Sequence, residues 1–409
     1  MKCIYGLIAA LFIGIGAAYA QIDLNGEFRP RSELSNGYGT LAADGQDASF
    51  FTSQRTRLNF GFKADKYKTY LSLQDVRLWG NQRQLVGNED NSISVHQAWF
   101  EVFLSEDFSL KAGRMELVYD DSRIFGNVGW AQQARSHDLF LFKYEKDIKL
   151  HFGIAHHESG MRNSNKYFGP DAYKDLQFLW FHDQSDKVGV SLLFLNNGVP
   201  FTDTDGEQEN KYSQTIGGRV TLKAGKLNLS SNLYYQGGEH VSDRDISALN
   251  FALEGVLKVS DQVSLVGGFE HLSGTDYNET EDIKSFTPFY GTNHKFNGFM
   301  DYFYVGNHGL NVGLNDIYFK LKHKKDRFSL SVDVHAFSAA ADIAADTDKN
   351  LGIELDITAG YKLNKDVTFS AGLSSMFASD NMEVLKGVSD AEGNYWGYIM
   401  IAVTPKFLK

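Results

Sequence analysis

Apolar and polar side chains alternate along most of this chain, in stretches of roughly ten to fourteen residues. Thr56, Leu58, Phe60 and Phe62 alternate with Arg55, Arg57, Asn59 and Gly61, and Leu249, Phe251, Leu253 and Leu257 with Asn250, Ala252 and Glu254. Further on, Phe328, Leu330, Val332 and Val334 alternate with Ser329, Ser331, Asp333 and His335. Ile353, Leu355, Ile357 and Ala359 alternate with Glu354, Asp356, Thr358 and Gly360. A period of two is a β-strand with one apolar face. Short polar connectors fall at 63–66, 105–107, 146–147, 185–186, 224–225, 260–261, 325–326 and 364–366. Longer ones fall at 34–52, 81–92, 120–134, 159–173, 197–211, 240–245, 274–311, 340–349 and 379–393. Seventeen connectors imply about eighteen strands. Each hairpin has one short end and one long end, and no helix is predicted after residue 20. The pattern predicts an all-β fold: a transmembrane antiparallel up-and-down β-barrel with short periplasmic turns and long extracellular loops. A soluble sandwich would alternate too, but without the strict sequence of short and long connectors.

A charge on the lipid face costs roughly 2–4 kcal/mol at the bilayer midplane, so the strand charges are expected inside. Two strands break parity, near Gln74 and near Gly113-Arg114. Either a β-bulge at each point returns Asp75, Arg77, Arg114 and Glu116 to the lumen, or these residues lie above the hydrocarbon. The final strand, Tyr395 to Phe407, has the terminal alternation, but its aromatic stands two residues before the end, in Phe407-Leu408-Lys409.

Residues 1–20 read as a secretory signal: Lys2, an apolar run from Ile4 to Ala17, and Ala18-Tyr19-Ala20 before Gln21. The expected mature barrel is then 21–409. Cys3 lies inside the signal, so the mature chain has no disulfide or thiol chemistry. Five prolines in 409 residues suit long strands whose amides all join a ladder. The net charge is −11, or −12 once Lys2 leaves with the signal. That balance argues against nucleic acid as a partner and fits acidic outer loops. The location implied is the outer membrane of a Gram-negative cell. The partners are then outer-membrane lipid and lipopolysaccharide, and the barrel-assembly machinery.

Nine of the thirteen arginines precede residue 136: Arg29, Arg31, Arg55, Arg57, Arg77, Arg83, Arg114, Arg123 and Arg135. Inward acids of the second half include Glu254, Glu270, Asp333, Glu354 and Asp356. One wall of the pore is thus expected to be arginine-rich and the rest mixed to acidic. Arginines lining a pore favour anions, and a guanidinium grips a carboxylate with two bonds. Arg29, Arg31, Arg55, Arg57, Arg77, Arg114, Arg123 and Arg135, with Glu101, are the candidate pore-lining and substrate-binding residues. Their ladder would hand an acidic polysaccharide from fork to fork. Two other readings stand beside it: structural pairing with Asp23, Glu27, Glu101 or Glu116, and the transverse field of a general porin.

The segments holding these arginines also carry a likeness. Arg55-Thr56-Arg57-Leu58-Asn59, Leu73-Gln74-Asp75-Val76-Arg77-Leu78-Trp79-Gly80 and Gln97-Ala98-Trp99-Phe100-Glu101-Val102 resemble the opening strands of the alginate-export porin family. So do Leu110 to Leu117, Asp120 to Gly126 and Gly129-Trp130. Thr287 to Phe296, with Gly298-Phe299-Met300-Asp301, is similar to that family's late loop, and Gly313 to Tyr318 follows it. The resemblance implies an eighteen-stranded outer-membrane barrel with an electropositive, arginine-lined lumen that exports alginate. The arginine density of this chain falls sharply after residue 135, a departure that bears on the substrate more than on the fold.

No enzyme is expected: there is no G-x-S-x-G, and His156-His157-Glu158 and His294 have no nucleophile beside them. Asp203-Thr204-Asp205-Gly206-Glu207 has part of a calcium-loop pattern, but lacks its closing glutamate and reads better as a solvated turn. No cofactor or metal is expected. Trp79, Trp99, Trp180 and Trp396 are expected in the girdles or at the pore rim. The long connector 274–311 is expected to be ordered, and to fold inward as a constriction. The reading is a channel passing an anionic polysaccharide or its oligosaccharides through an arginine-lined lumen. The alternative is a general or nutrient-uptake porin with a mixed-charge constriction.

Overall fold

A computed structural model describes residues 21–85, 93–158, 173–203, 205–303 and 312–408, so the signal expected at 1–20 lies outside the described residues. The first half of the barrel wall is β1 (Gln21–Asn36), β2 (Ser49–Lys63), β3 (Tyr67–Leu78), β4 (Ile93–Phe103), β5 (Phe108–Met115), β6 (His137–Glu145), β7 (Ile148–His156), β8 (Asp175–Gln184) and β9 (Val188–Thr202). The second half is β10 (Gln208–Ala224), β11 (Leu227–Glu239), β12 (Asp245–Lys258), β13 (Val263–Leu272), β15 (Leu314–Lys325), β16 (Phe328–Ser338), β17 (Asn350–Lys362), β18 (Val367–Ala378) and β19 (Tyr395–Val403). These eighteen long strands are antiparallel to their neighbours, and β1 closes the sheet on β19. Two short strands complete it: β14 (Asp282–Ile283) lies parallel to the start of β12, and β20 (Lys406–Leu408) carries the last strand further along β1. Phe407 packs its ring over Gly26 there, so the early aromatic sits in the closing seam.

The eight short turns fall where the polarity pattern places them. The barrel exterior is the apolar face: Leu58, Phe100, Phe140, Ile216, Leu253, Ile317, Leu373 and Ile399 are exposed. A belt of this extent suits the hydrocarbon of a bilayer and not water. Its loop-side edge is marked by outward polar side chains. Gln177, Asn196 and Gln214 form a ladder at 2.7 and 2.8 Å across three strands.

Four expectations need correction. First, Asp75 and Arg77 face outward and pair with each other at 2.6 Å, because β3 runs in unbroken register with β2 past Gln74. The bulge lies on β4 instead, where His96 is the extra residue between Val95 and Gln97. Second, Arg114 sits opposite Ala98 and pairs outward with Asp138 at 2.7 Å. Neither Arg77 nor Arg114 lines the pore. Both lie near the loop ends of their strands, at the polar edge of the belt, where parity is not enforced by lipid. Third, the connector expected over 197–211 is only 203–207, since β9 and β10 pair from Thr202 and Gln208 downward. Fourth, a helix does occur after residue 20: α1 (Asp380–Lys386). The Ser379 side chain accepts from the Met382 amide at its start, and Gly387 at φ 66° closes its end.

The largest buried apolar cluster lies inside the barrel. Leu117, Ile124 and Phe125 from one loop, and Met300, Tyr302 and Phe303 from another, pack on Leu139, Phe178, Leu195 and Leu314 of the wall.

Candidate functional site in the barrel lumen

Two long connectors fold into the lumen: 116–136, and the described part, 273–303, of the connector expected over 274–311, whose residues 304–311 lie outside the described residues. The first leaves β5 and reaches three parts of the wall. Asp121 accepts from Arg219 of β10 at 2.6 Å and from Asn232 of β11 at 2.7 Å. Arg123 pairs with Glu270 of β13 at 2.6 Å and donates to Asn297 at 2.9 Å. The returning backbone is gripped by β1–β3: Arg29 donates to Gly129 O at 2.8 Å, Arg31 to Trp130 O at 2.9 Å, and Gln74 to Gln133 O at 3.0 Å. Arg55 donates to the carbonyls of Ala131 and Gln132, each at 3.2 Å. Asp120, Ser122, Val128 and Ala134 have positive φ, which for a β-branched valine is a costly backbone state. Such strain persists only where surroundings impose it. Here the Val128 amide is fixed on the Thr292 hydroxyl at 3.0 Å.

The second connector is laced to the first and to the wall at β17 and the end of β1. Gly126 N donates to Tyr290 O at 2.8 Å, and Thr292 N to Ser122 O at 2.9 Å. A Cβ on Gly126 would stand 2.2 Å from the Thr292 hydroxyl, so only glycine allows this approach. Met300 N donates to Glu354 of β17 at 2.8 Å, and Tyr302 to Gly37 O. The Arg31 guanidinium lies 4.1 Å from the Trp130 ring centre, and His294 stacks on Trp130 at 4.7 Å. His294 also bonds Asp301 at 2.9 Å, and Tyr38 donates to Asp301 in turn.

The two loops leave a cavity on each side of their meeting point. One of about 300 Å³, on the loop side, is lined by Arg123, Lys211, Gln236, His240, Phe286 and Asn297. The other, about 380 Å³ on the turn side, is lined by Arg219, Glu254, Glu270, Lys295, Asn297 and Tyr318. Asn297 belongs to both, with the Arg123–Glu270 pair beside it. Lys295 donates to Asp121 O at 2.7 Å, and burial lowers its ammonium pKa.

The other candidate residues are placed as follows. Arg57 faces the lumen and donates to Gln74 at 2.9 Å. Arg135 donates to Gly291 O at 3.1 Å. Glu101 is 2% exposed and held by Lys68 at 2.8 Å and Lys143 at 3.1 Å. Around the lumen the sectors differ in charge: Arg29, Arg31, Arg55, Arg57 and Lys111 stand on β1–β5, with Glu27, Glu33 and Glu101 paired among them, while Asp316, Asp333, Glu354 and Asp356 stand on β15–β17 with Lys320 paired to Asp333. Trp79 is exposed at the outer rim, but Trp180 and Trp396 are buried inside, and Trp99 stacks on Tyr70 with Lys111 3.8 Å over its ring. The inward course of 116–136 was not foreseen. Its signal is an apolar content, from Leu117 through Trp130, that a solvated loop would not carry. Among the described residues no group of three or more His, Cys, Asp or Glu is arranged to hold a metal. Asp203 uses one carboxylate oxygen to accept from the amides of Asp205 and Glu207, as a closed turn does.

No family model and no curated protein matches the chain. Solved structures do. Pseudomonas aeruginosa OpdL is similar with a TM-score of 0.64 at 12% identity, over 95% of this chain and 99% of that one. Acinetobacter baumannii OccAB1 gives 0.62 at 11% identity, over 95% and 97%. Salmonella typhi OmpF, in complex with daunomycin, gives 0.51 at 11% identity, over 96% and 99%. The chain has the fold of the porin barrels. Identities this low speak for the fold alone.

Proposed function

We propose that this protein is an outer-membrane channel of a Gram-negative cell that passes small polar solutes by passive diffusion, small carboxylates foremost. The observation that carries this reading is the inward course of 116–136 and 273–303, which leaves cavities of about 300 and 380 Å³ meeting at Asn297. Spaces of that size take a monosaccharide or a small acid. The cationic groups that line the two cavities, Arg123 and Lys211 on the loop side and Arg219 and Lys295 on the turn side, would orient a carboxylate. Arg29, Arg31 and Arg55 would act mainly as braces, since their forks already hold loop carbonyls. P. aeruginosa OpdK, whose barrel is similar at a TM-score of 0.59, was solved with vanillate, a small carboxylate.

A second reading is passage of an acidic polysaccharide, alginate-like, or its oligosaccharides. The arginine-rich wall favours it, and the arginines would then serve as a ladder. A glycan strand would require loop 116–136 to leave the lumen. Single-channel recording separates the two. Small carboxylates should interrupt the current reversibly, and a polyuronate chain added on the loop side should not enter. Entry of the polymer from that side would replace the first reading with the second.

A further inference from the structure

Charge is also separated along the barrel axis. Leaving out the two inward connectors, the other seven long connectors carry seventeen acids against seven lysines and arginines, while the turn tips are nearly balanced. Just inside those tips lies a collar of lysines. Lys63, Lys149, Lys223, Lys258, Lys322 and Lys362 stand near the turn ends of β2, β7, β10, β12, β15 and β17. Lys322 lines the turn-side cavity. The others lie an even number of residues from side chains shown to face the lumen: Arg57, His151, Arg219, Glu254 and Asp356. Their strands keep unbroken register between those points, so alternation turns these lysines inward too. All six are exposed, and none forms an ion pair among the described residues. Of the acids at the same level, Asp107 pairs with Lys146 at 3.5 Å and Glu145 with Lys143 at 2.8 Å, neither with a collar lysine.

Lysines spread round a mouth cannot chelate one small anion. Each is a compact point charge on a flexible stem, acting over a screening length of about 8 Å at physiological salt. Several together hold a ligand whose own charges are spread over a comparable span. We propose that this collar is a binding site for a multivalent anion, a chain of carboxylates or phosphates, presented from the turn side of the barrel. The acidic loops make the opposite mouth repel the same ligand. The collar rests on the strand register and not on the solute proposed above.

Purified barrel in detergent is titrated with polyglutamate and, separately, with polyphosphate; the tighter binder identifies the chemistry. Binding should weaken as salt is raised. It should fall by at least roughly tenfold when all six lysines are changed to Gln, and measurably in the smaller set Lys223→Gln, Lys258→Gln, Lys322→Gln. Lys349→Gln, on an outer loop, should leave it unchanged. In planar bilayers with insertion oriented by a labelled loop cysteine, either polyanion should block current from the turn side only. Equal block from both sides, or undiminished binding by the folded six-lysine variant, overturns the proposal. A barrel that binds polyanion in detergent but conducts nothing would retire the channel reading and leave the collar standing.

Discussion

Arg123 and Glu270 are 147 positions apart in sequence and form a buried ion pair, at 2.6 Å, between an inward loop and β13. Arg123 is 1% exposed, and its guanidinium also covers the Phe296 ring at 4.4 Å. The pair stands where the two lumen cavities approach each other.

Removing one partner strands the other charge. Arg123→Met and Glu270→Gln should each cost about 3–5 kcal/mol of local stability, and the double variant less than the sum. Thermal scans of the detergent-purified barrel measure this. Single-channel conductance should rise, and its noise with it, as the loop tip loses its anchor.

Leu253 and Arg114 test the placement of the belt. Leu253→Arg puts a charge among exposed apolar neighbours and should cost about 2–4 kcal/mol if it lies near the midplane. Arg114→Leu, at the polar edge, should change assembly little. The folded fraction by heat-modifiable gel mobility reads both. Equal effects would remove the assignment of the belt.

Topology is open to labelling because the chain has no cysteine after Cys3. Asp205→Cys, Asp282→Cys and Asp390→Cys should react with an impermeant reagent on intact cells. Asp147→Cys and Asp326→Cys, on short turns, should not. Surface labelling at 147 would invert the barrel.

Lys386 gives a pH dependence. It donates to Tyr302 O at 2.5 Å, tying α1 to the inward loop, and burial lowers its pKa from 10.5 to about 8. Below pH 8 the amine is protonated whether α1 is docked or free, and docking bears the full cost of burying the charge. Between about 8 and 10.5 the docked state binds fewer protons, so docking strengthens as pH rises through that window. Protection factors over 380–386, taken relative to the intrinsic base-catalysed exchange rate, should rise accordingly, and Lys386→Met should flatten that profile.

The wall was legible because lipid enforces parity: a misplaced charge on Leu253's face is expensive, so the pattern there is clean. Above the belt that pressure ends. Asp75, Arg77 and Arg114 follow the strand outward, the first two paired with each other and Arg114 with Asp138, and nothing in the sequence marks how high the hydrocarbon reaches. For the same reason the paired strands above the belt at 197–211 resembled a loop. The arginine wall could be read in outline, but not the use of its forks. Arg29 binds a backbone carbonyl 100 residues away and Arg55 one 76 residues away, contacts that depend on the tertiary course of 116–136.

The central claim is that two inward loops reduce an eighteen-stranded barrel to a path for small solutes. Swelling of liposomes containing the purified protein, measured across a series from glycerol and monosaccharides to tri- and tetrasaccharides, tests it most directly. Rates should fall steeply beyond the monosaccharides, and deletion of the 122–130 loop tip should restore the larger sugars. Equal rates for monosaccharide and tetrasaccharide in the intact protein would contradict the account.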